Sequence, residues 1–244
     1  MNELVVYWCQ GPGSGYTDRP DPTGGKLALL ALEPELLLRY IYNNRKEKNN
    51  NFLKCPAVTD ELKNTFVISS SVDFDLKRSA IDGGKESYTT NYYDQDFFDS
   101  FVAVGRDVVQ FTDNKLFFCE ENLEVSQIPF GFDFNNEQDG IKIIPGKFNI
   151  NKWFRPMHSS FIMSRDYISV SRGQPMYCLK FHTDKKIKFK RFDPSCTEIQ
   201  RIITECVELK SILKNLSFQT MYDLFTKSKR HKLLLKHIKA NLMD

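Results

Sequence analysis

Between Ile141 and Phe189 apolar residues recur at every second position, the period of a strand with one face buried. Ile141 and Ile143, then Phe148 and Ile150, then Tyr177, Leu179 and Phe181 each form such a series. Ile187 and Phe189 continue it, with Lys186, Lys188 and Lys190 pointing the other way. Three groups punctuate these runs as turns: Pro145-Gly146, at the centre of a type II turn, Ser164-Arg165-Asp166, and Arg172-Gly173-Gln174-Pro175. Upstream, Leu4–Trp8 and Thr65–Ser69 read as strands, and Val108–Phe111 and Leu116–Cys119 as a hairpin about Asp113-Asn114. Lys77–Asp94 is polar and reads as a surface loop.

A longer period marks other segments. Glu33–Arg45, with apolar residues at 36, 37, 40 and 41 and Pro34 near its start, suits an amphipathic helix. After Asp193-Pro194, Ser195 and Glu198 have capping-box spacing. They lead into a helical stripe of Ile199, Ile202, Ile203, Cys206, Leu209 and Leu213. Ser217 is placed to cap a further helix carrying Met221, Leu224 and Phe225. The expected fold is therefore α+β: an antiparallel β-sandwich or jelly-roll-like core with a helical C-terminal extension. It divides into a mainly β part at 1–193, loop-rich with one helix over 1–50, and a helical part at 194–244.

Composition and charge narrow the functional classes. The chain of 244 residues is 41% hydrophobic and 13% aromatic, enough for a sizeable core. A net charge of +3 does not by itself imply nucleic-acid binding. Residues 207–244 hold eight Lys/Arg against three Asp/Glu. No apolar run has the length of a membrane span, so no membrane partner is expected. The six cysteines form no CxxC pair and several sit in apolar runs, which favours buried thiols in a reducing compartment. Gly11-Pro-Gly-Ser-Gly15 resembles a phosphate-binding loop only in composition, because Gly24-Gly25-Lys26 is followed by Leu27 and not by Ser or Thr, and Pro20 and Pro22 stand where a helix should begin.

Candidate chemistry is sparse. Trp153 and Arg155 could present a ring and a guanidinium to a ligand, or close the core and pair with a carboxylate. His158 and His182 fall in the strand-rich region, where a cupin-like barrel would hold Fe(II) or another divalent metal with two His and one carboxylate. They lack the His-x-His or His-x-Asp spacing such sites usually carry. Lys186, Lys188 and Lys190, together with Lys229, Arg230 and Lys232, form the basic patch. It suits either a solvated face that protects a strand edge, or phosphate contacts. Cys55 is a weak nucleophile candidate, with no His near it in sequence.

Three blocks resemble a group of uncharacterised proteins from large tailed phages, cyanophages especially. They are Cys55-Pro-Ala with Lys63-Asn-Thr-Phe66, Ile144-Pro-Gly-Lys-Phe148 with Lys152-Trp-Phe-Arg-Pro156, and Ile168-Ser-Val-Ser-Arg-Gly-Gln-Pro175 running into Lys180-Phe181. The resemblance implies a phage product in host cytoplasm or virion and lends no catalytic residue and no cofactor. Two functions stand as expectations. One is a non-enzymatic accessory or virion protein that binds a protein partner, or itself, through the C-terminal helices, with nucleic acid a weaker candidate. The other is a jelly-roll metal enzyme, of 2-oxoglutarate oxygenase type, built on His158 and His182.

Overall fold

The computed structural model describes residues 3–10, 32–44, 51–71, 73–81, 85–90, 108–112, 115–132, 140–152, 156–212 and 215–243. The apolar run near the start forms β1 (Glu3–Gln10), which is buried on both faces. A strand reads as continuously hydrophobic when both of its faces are covered. Here Leu4, Val6 and Trp8 enter one buried cluster and Tyr7 and Cys9 another.

Thirteen further described strands follow β1 in chain order, beginning with β2 (Glu35–Leu36), β3 (Thr65–Ser69), β4 (Phe74–Ile81), β5 (Lys85–Thr90), β6 (Val108–Thr112), β7 (Lys115–Cys119) and β8 (Glu124–Ile128). The remainder are β9 (Ile141–Ile143), β10 (Gly146–Asn149), β11 (His158–Met163), β12 (Tyr167–Val170), β13 (Pro175–Phe181) and β14 (Lys186–Arg191). They form four sheets, ordered β14-β1-β7, β10-β8-β13-β3-β2, β6-β11-β9 and β12-β4-β5. All described pairings are antiparallel except β1 with β14, which is parallel and runs from Glu3 opposite Lys186 to Trp8 opposite Arg191.

The helices are α1 (Leu37–Asn44), α2 (Pro56–Glu61), α3 (Thr197–Ile212), α4 (Phe218–Lys227) and α5 (Arg230–Ala240). The largest cluster draws residues from all four sheets and includes Trp8, Phe117, Phe161, Tyr177, Leu179 and Phe181. A second joins Tyr7, Leu116 and Phe118 to Ile199, Ile202, Phe225, Leu234 and Ile238 of the helices. A third packs Leu37 and Ile41 of α1 on Val67 and Cys178. The fold is mixed α+β, with several largely antiparallel sheets and helices at the C-terminal end. The boundary expected at 193/194 falls between β14 and α3, and across it sheet and helices share one buried cluster.

Several local expectations are corrected. Val108–Thr112 and Lys115–Cys119 do not form a hairpin: β6 pairs with β11 and β7 with β1. Gly146 opens β10 and is not among the glycines at positive φ, so no type II turn is centred on it. Ser164–Asp166 separates strands that join different sheets. The turn expected at Arg172–Pro175 falls one residue earlier, at Ser171–Gln174, closed by Gln174 N–H donating to the Ser171 carbonyl at 3.0 Å with Gly173 at φ +88°.

The polar Lys77–Asp94 stretch contains a true hairpin, β4 with β5, from Leu76 opposite Thr90 to Ile81 opposite Lys85. The helix expected over Glu33–Arg45 is shorter, because Glu35–Leu36 pairs instead with Phe66–Val67 of β3. Ser195 forms no capping box. Its hydroxyl and its N–H both donate to the Asp193 carboxylate, at 2.8 Å each, and Glu198 pairs with Arg201. Ser217 does cap α4, accepting from Thr220 N–H at 3.2 Å.

Candidate functional site

Two of the sheets end side by side in a cleft of about 950 Å³. Its walls are the outermost strand of each: β14 contributes Lys186, Ile187 and Phe189, and β2 contributes Glu35 and Leu36. The floor is aromatic. Phe66 meets Phe189 edge to face at 4.8 Å between centroids, and Phe181 packs behind both at 5.6 and 5.7 Å. Charged groups of both signs rim this floor: Glu33, Arg39, Lys63, Asp184, Lys185 and Lys186.

The shape of the rim is set by Asn64, which is buried and held at φ +52° between α2 and β3. Its side-chain amide donates to the carbonyls of Thr183 (2.7 Å) and Lys185 (2.9 Å), tying the β13–β14 turn to the start of β3. Its own carbonyl accepts from Phe181 N–H at 3.0 Å. Asn tolerates the left-handed region better than most residues, which suits it to this corner. Lys63 pairs with Asp184 at 3.6 Å, and Lys185 grips Glu121 at 2.6 and 2.8 Å. An apolar floor with a polar rim is the anatomy of a binding interface.

The residues singled out in the sequence are placed as follows. Trp153 and Arg155 lie outside the described residues. His158 opens β11 opposite Thr112, whereas His182 follows β13, in a different sheet. His182 Nε2 lies 2.7 Å from Ser126 Oγ, and its N–H donates to the Glu124 carbonyl at 3.0 Å. Among the described residues no three His, Cys, Asp or Glu side chains cluster as a metal would need.

Lys186, Lys188 and Lys190 are exposed along one side of β14, as the alternation requires. Lys229 and Arg230 stand at the α4–α5 junction, where Arg230 pairs with Glu205 at 3.0 Å, and Lys232 is exposed on α5. Cys9, Cys119 and Cys178 are buried. Burial pushes the thiol of Cys119 up to about 11 and that of Cys178 to about 12, and raises Cys9 further, which makes all three poor nucleophiles. Cys55 is exposed at the N-cap of α2.

Asn64, Arg39, Lys63 and Asp184 were not among the candidate site residues of the sequence, and Lys63 and Asn64 entered only through the Lys63-Asn-Thr-Phe66 block. The one available signal was an Asn directly before a strand of buried apolar residues, a position suited to a tight backbone reversal. No helix is long and apolar enough to cross a membrane among the described residues. Comparison with known proteins finds no matching family model, no matching curated protein and no matching solved structure.

Proposed function

We propose that the chain is a non-enzymatic interaction protein that binds a protein partner, and that the cleft between β14 and β2 is where it does so. One observation carries this reading: two terminal strands flank an aromatic floor, under a rim of both charges. Among the described residues Ile199, Ile202, Phe225, Leu234 and Ile238 of the C-terminal helices are buried within the chain, in one cluster with Tyr7, Leu116 and Phe118. The partner surface therefore moves from the helices, where the sequence suggested it, to the sheet edges. The buried cluster shared by the sheets supports reading them as a sandwich scaffold, although the parallel β1–β14 pair departs from jelly-roll order. The resemblance to tailed-phage proteins makes host cytoplasm or the virion the setting of this reading.

Site-specific photo-crosslinking tests it. A photoreactive residue at Thr59 or Lys186, in the cleft, should yield a discrete protein adduct that re-forms with the purified partner. One at Tyr42, exposed on α1 and outside the cleft lining, should not. Equal labelling from Tyr42, or none from the cleft, overturns the proposal.

A further inference from the structure

Resting on that reading, we propose that the open edge of β14 takes an extended segment of the partner, paired antiparallel, in which acidic and apolar residues alternate. The backbone states which groups are on offer. Phe192 N–H donates to the Trp8 carbonyl at 3.0 Å, so the residues of β14 in phase with Phe192 turn their amides to β1. Ile187, Phe189 and Arg191 are out of phase, and turn theirs to the open side.

At one end that side is already used. Met243 N–H donates to the Arg191 carbonyl at 2.9 Å, Asp193 N–H donates to the Asn241 carbonyl at 2.8 Å, and Leu242 bridges Phe192 antiparallel. The chain's own C-terminal residues thus pair with this edge and set the polarity of a strand that continues along it. Among the described residues the N–H and C=O groups of Ile187 and Phe189 have no partner on this side, and both residues line the cleft.

Side chains specify the occupant. Lys186, Lys188 and Lys190 stand on one side of the strand, the side shared with Val5 and Tyr7 of β1. Among the described residues Lys186 and Lys190 have no ion pair, and Lys188 has only Glu3 at 3.9 Å. On the opposite side Ile187 and Phe189 meet Phe66. An added strand has period two, so every second residue meets the lysines and the others meet the apolar floor. Lysines on an edge ordinarily keep other strands away. Here they make the edge selective, turning away neutral and basic strands and drawing in acidic ones.

Fluorescence anisotropy with defined peptides tests this on the full chain. The probes are a peptide of alternating Glu and Val, a block-sequence peptide of the same composition, and the alternating peptide N-methylated at every second amide in each of the two phases. The alternating peptide should bind, the block peptide about tenfold more weakly or worse, and one N-methylated phase should not bind. Lys186→Glu with Lys190→Glu, both exposed, should weaken the alternating peptide about tenfold while leaving the melting temperature unchanged. Equal binding of both N-methylated phases overturns strand addition. Binding of an oligo(dT) strand with none of the peptide shows that the lysines serve phosphates, and also overturns it. If the charge-reversed protein keeps its cleft crosslink from Thr59, the edge proposal falls and the binding reading stands. If no crosslink forms with either protein, the binding reading itself falls.

Discussion

The side-chain amide of Asn64 reaches the carbonyl of Thr183 at 2.7 Å, joining positions that lie 119 apart in sequence. This contact and its companion to Lys185 tie the turn that leads into β14 to the start of β3, at the rim of the cleft. Asn64→Ala loses two hydrogen bonds and places a Cβ-branching-free but still disfavoured residue at φ +52°, at a cost of about 3 kcal/mol. Asn64→Gly removes the bonds and relieves the backbone, and should cost about 2 kcal/mol. Thermal melts of the two variants check the order. Equal losses would show that the conformation contributes nothing.

A second buried polar contact ties two sheets together in the core. Gln127 of β8 donates to Ser159 Oγ of β11 at 2.6 Å, with both residues buried. Removing one partner strands the other without water, so Gln127→Leu and Ser159→Ala should each destabilise by about 1–3 kcal/mol. The double variant should cost less than the sum of the two. A double-mutant cycle by denaturant unfolding reads the coupling directly.

Thiol accessibility separates the cysteines. Cys55 should react with a maleimide or disulfide reagent in the native protein within minutes at about pH 8. Cys9, Cys119 and Cys178 should stay unlabelled until the chain unfolds, because they are buried and protonated at that pH. Mass spectrometry of alkylated peptides, with and without denaturant, identifies each. Rapid native labelling of Cys178 would place it outside the cluster with Leu37 and Ile41.

His231, in the first turn of α5, gives stability a pH dependence. Burial, followed by the positive charge of Lys232, holds its imidazole below the usual histidine range, against a smaller opposing effect of a hydrogen bond to the Thr226 backbone. A base whose folded pKa is depressed takes up protons more readily when unfolded. Its contribution is complete above about pH 6.5, the ordinary histidine value, and is lost as pH falls towards the lower folded value. Chemical unfolding from pH 7 to pH 5 should show this decline, and His231→Gln should flatten it. The carboxylates of Glu61, Glu124 and Glu198 are held low by bonds to Lys180, Lys147 and Arg201. Their losses belong to a lower window, below about pH 4.5.

Strands were legible wherever one face is buried and the other wet. Ile187 against the three lysines alternates in burial as it does in sequence, whereas Tyr177, Leu179 and Phe181 show the period in sequence only, because Cys178 between them is buried in a second cluster. Partners were not legible. A turn signal states that the chain reverses, but not whether the flanking strands then meet, and β6 and β7 diverge to β11 and β1. The β4–β5 hairpin was missed because Lys77, Ser79, Ser87 and Thr89 give its sequence no apolar period. Ser195 was read as a cap from its spacing to Glu198, yet Asp193, two residues back, offers its hydroxyl a charged acceptor. The cleft was hidden for a related reason. Its residues come from α1, β2, β3 and β14, and only the long-range pairing brings them to one place.

The parallel pairing of β1 with β14 carries a consequence for how the protein is made. Glu3 leaves the ribosome roughly 180 residues ahead of its partner Lys186. At about 5–20 residues per second, that is a wait on the order of ten to forty seconds. During it Leu4, Val6, Tyr7 and Trp8 lack the strand that completes their sheet on that side. Assembly of this sheet is thereby deferred to the end of synthesis, which makes the nascent chain a natural client for a holding chaperone.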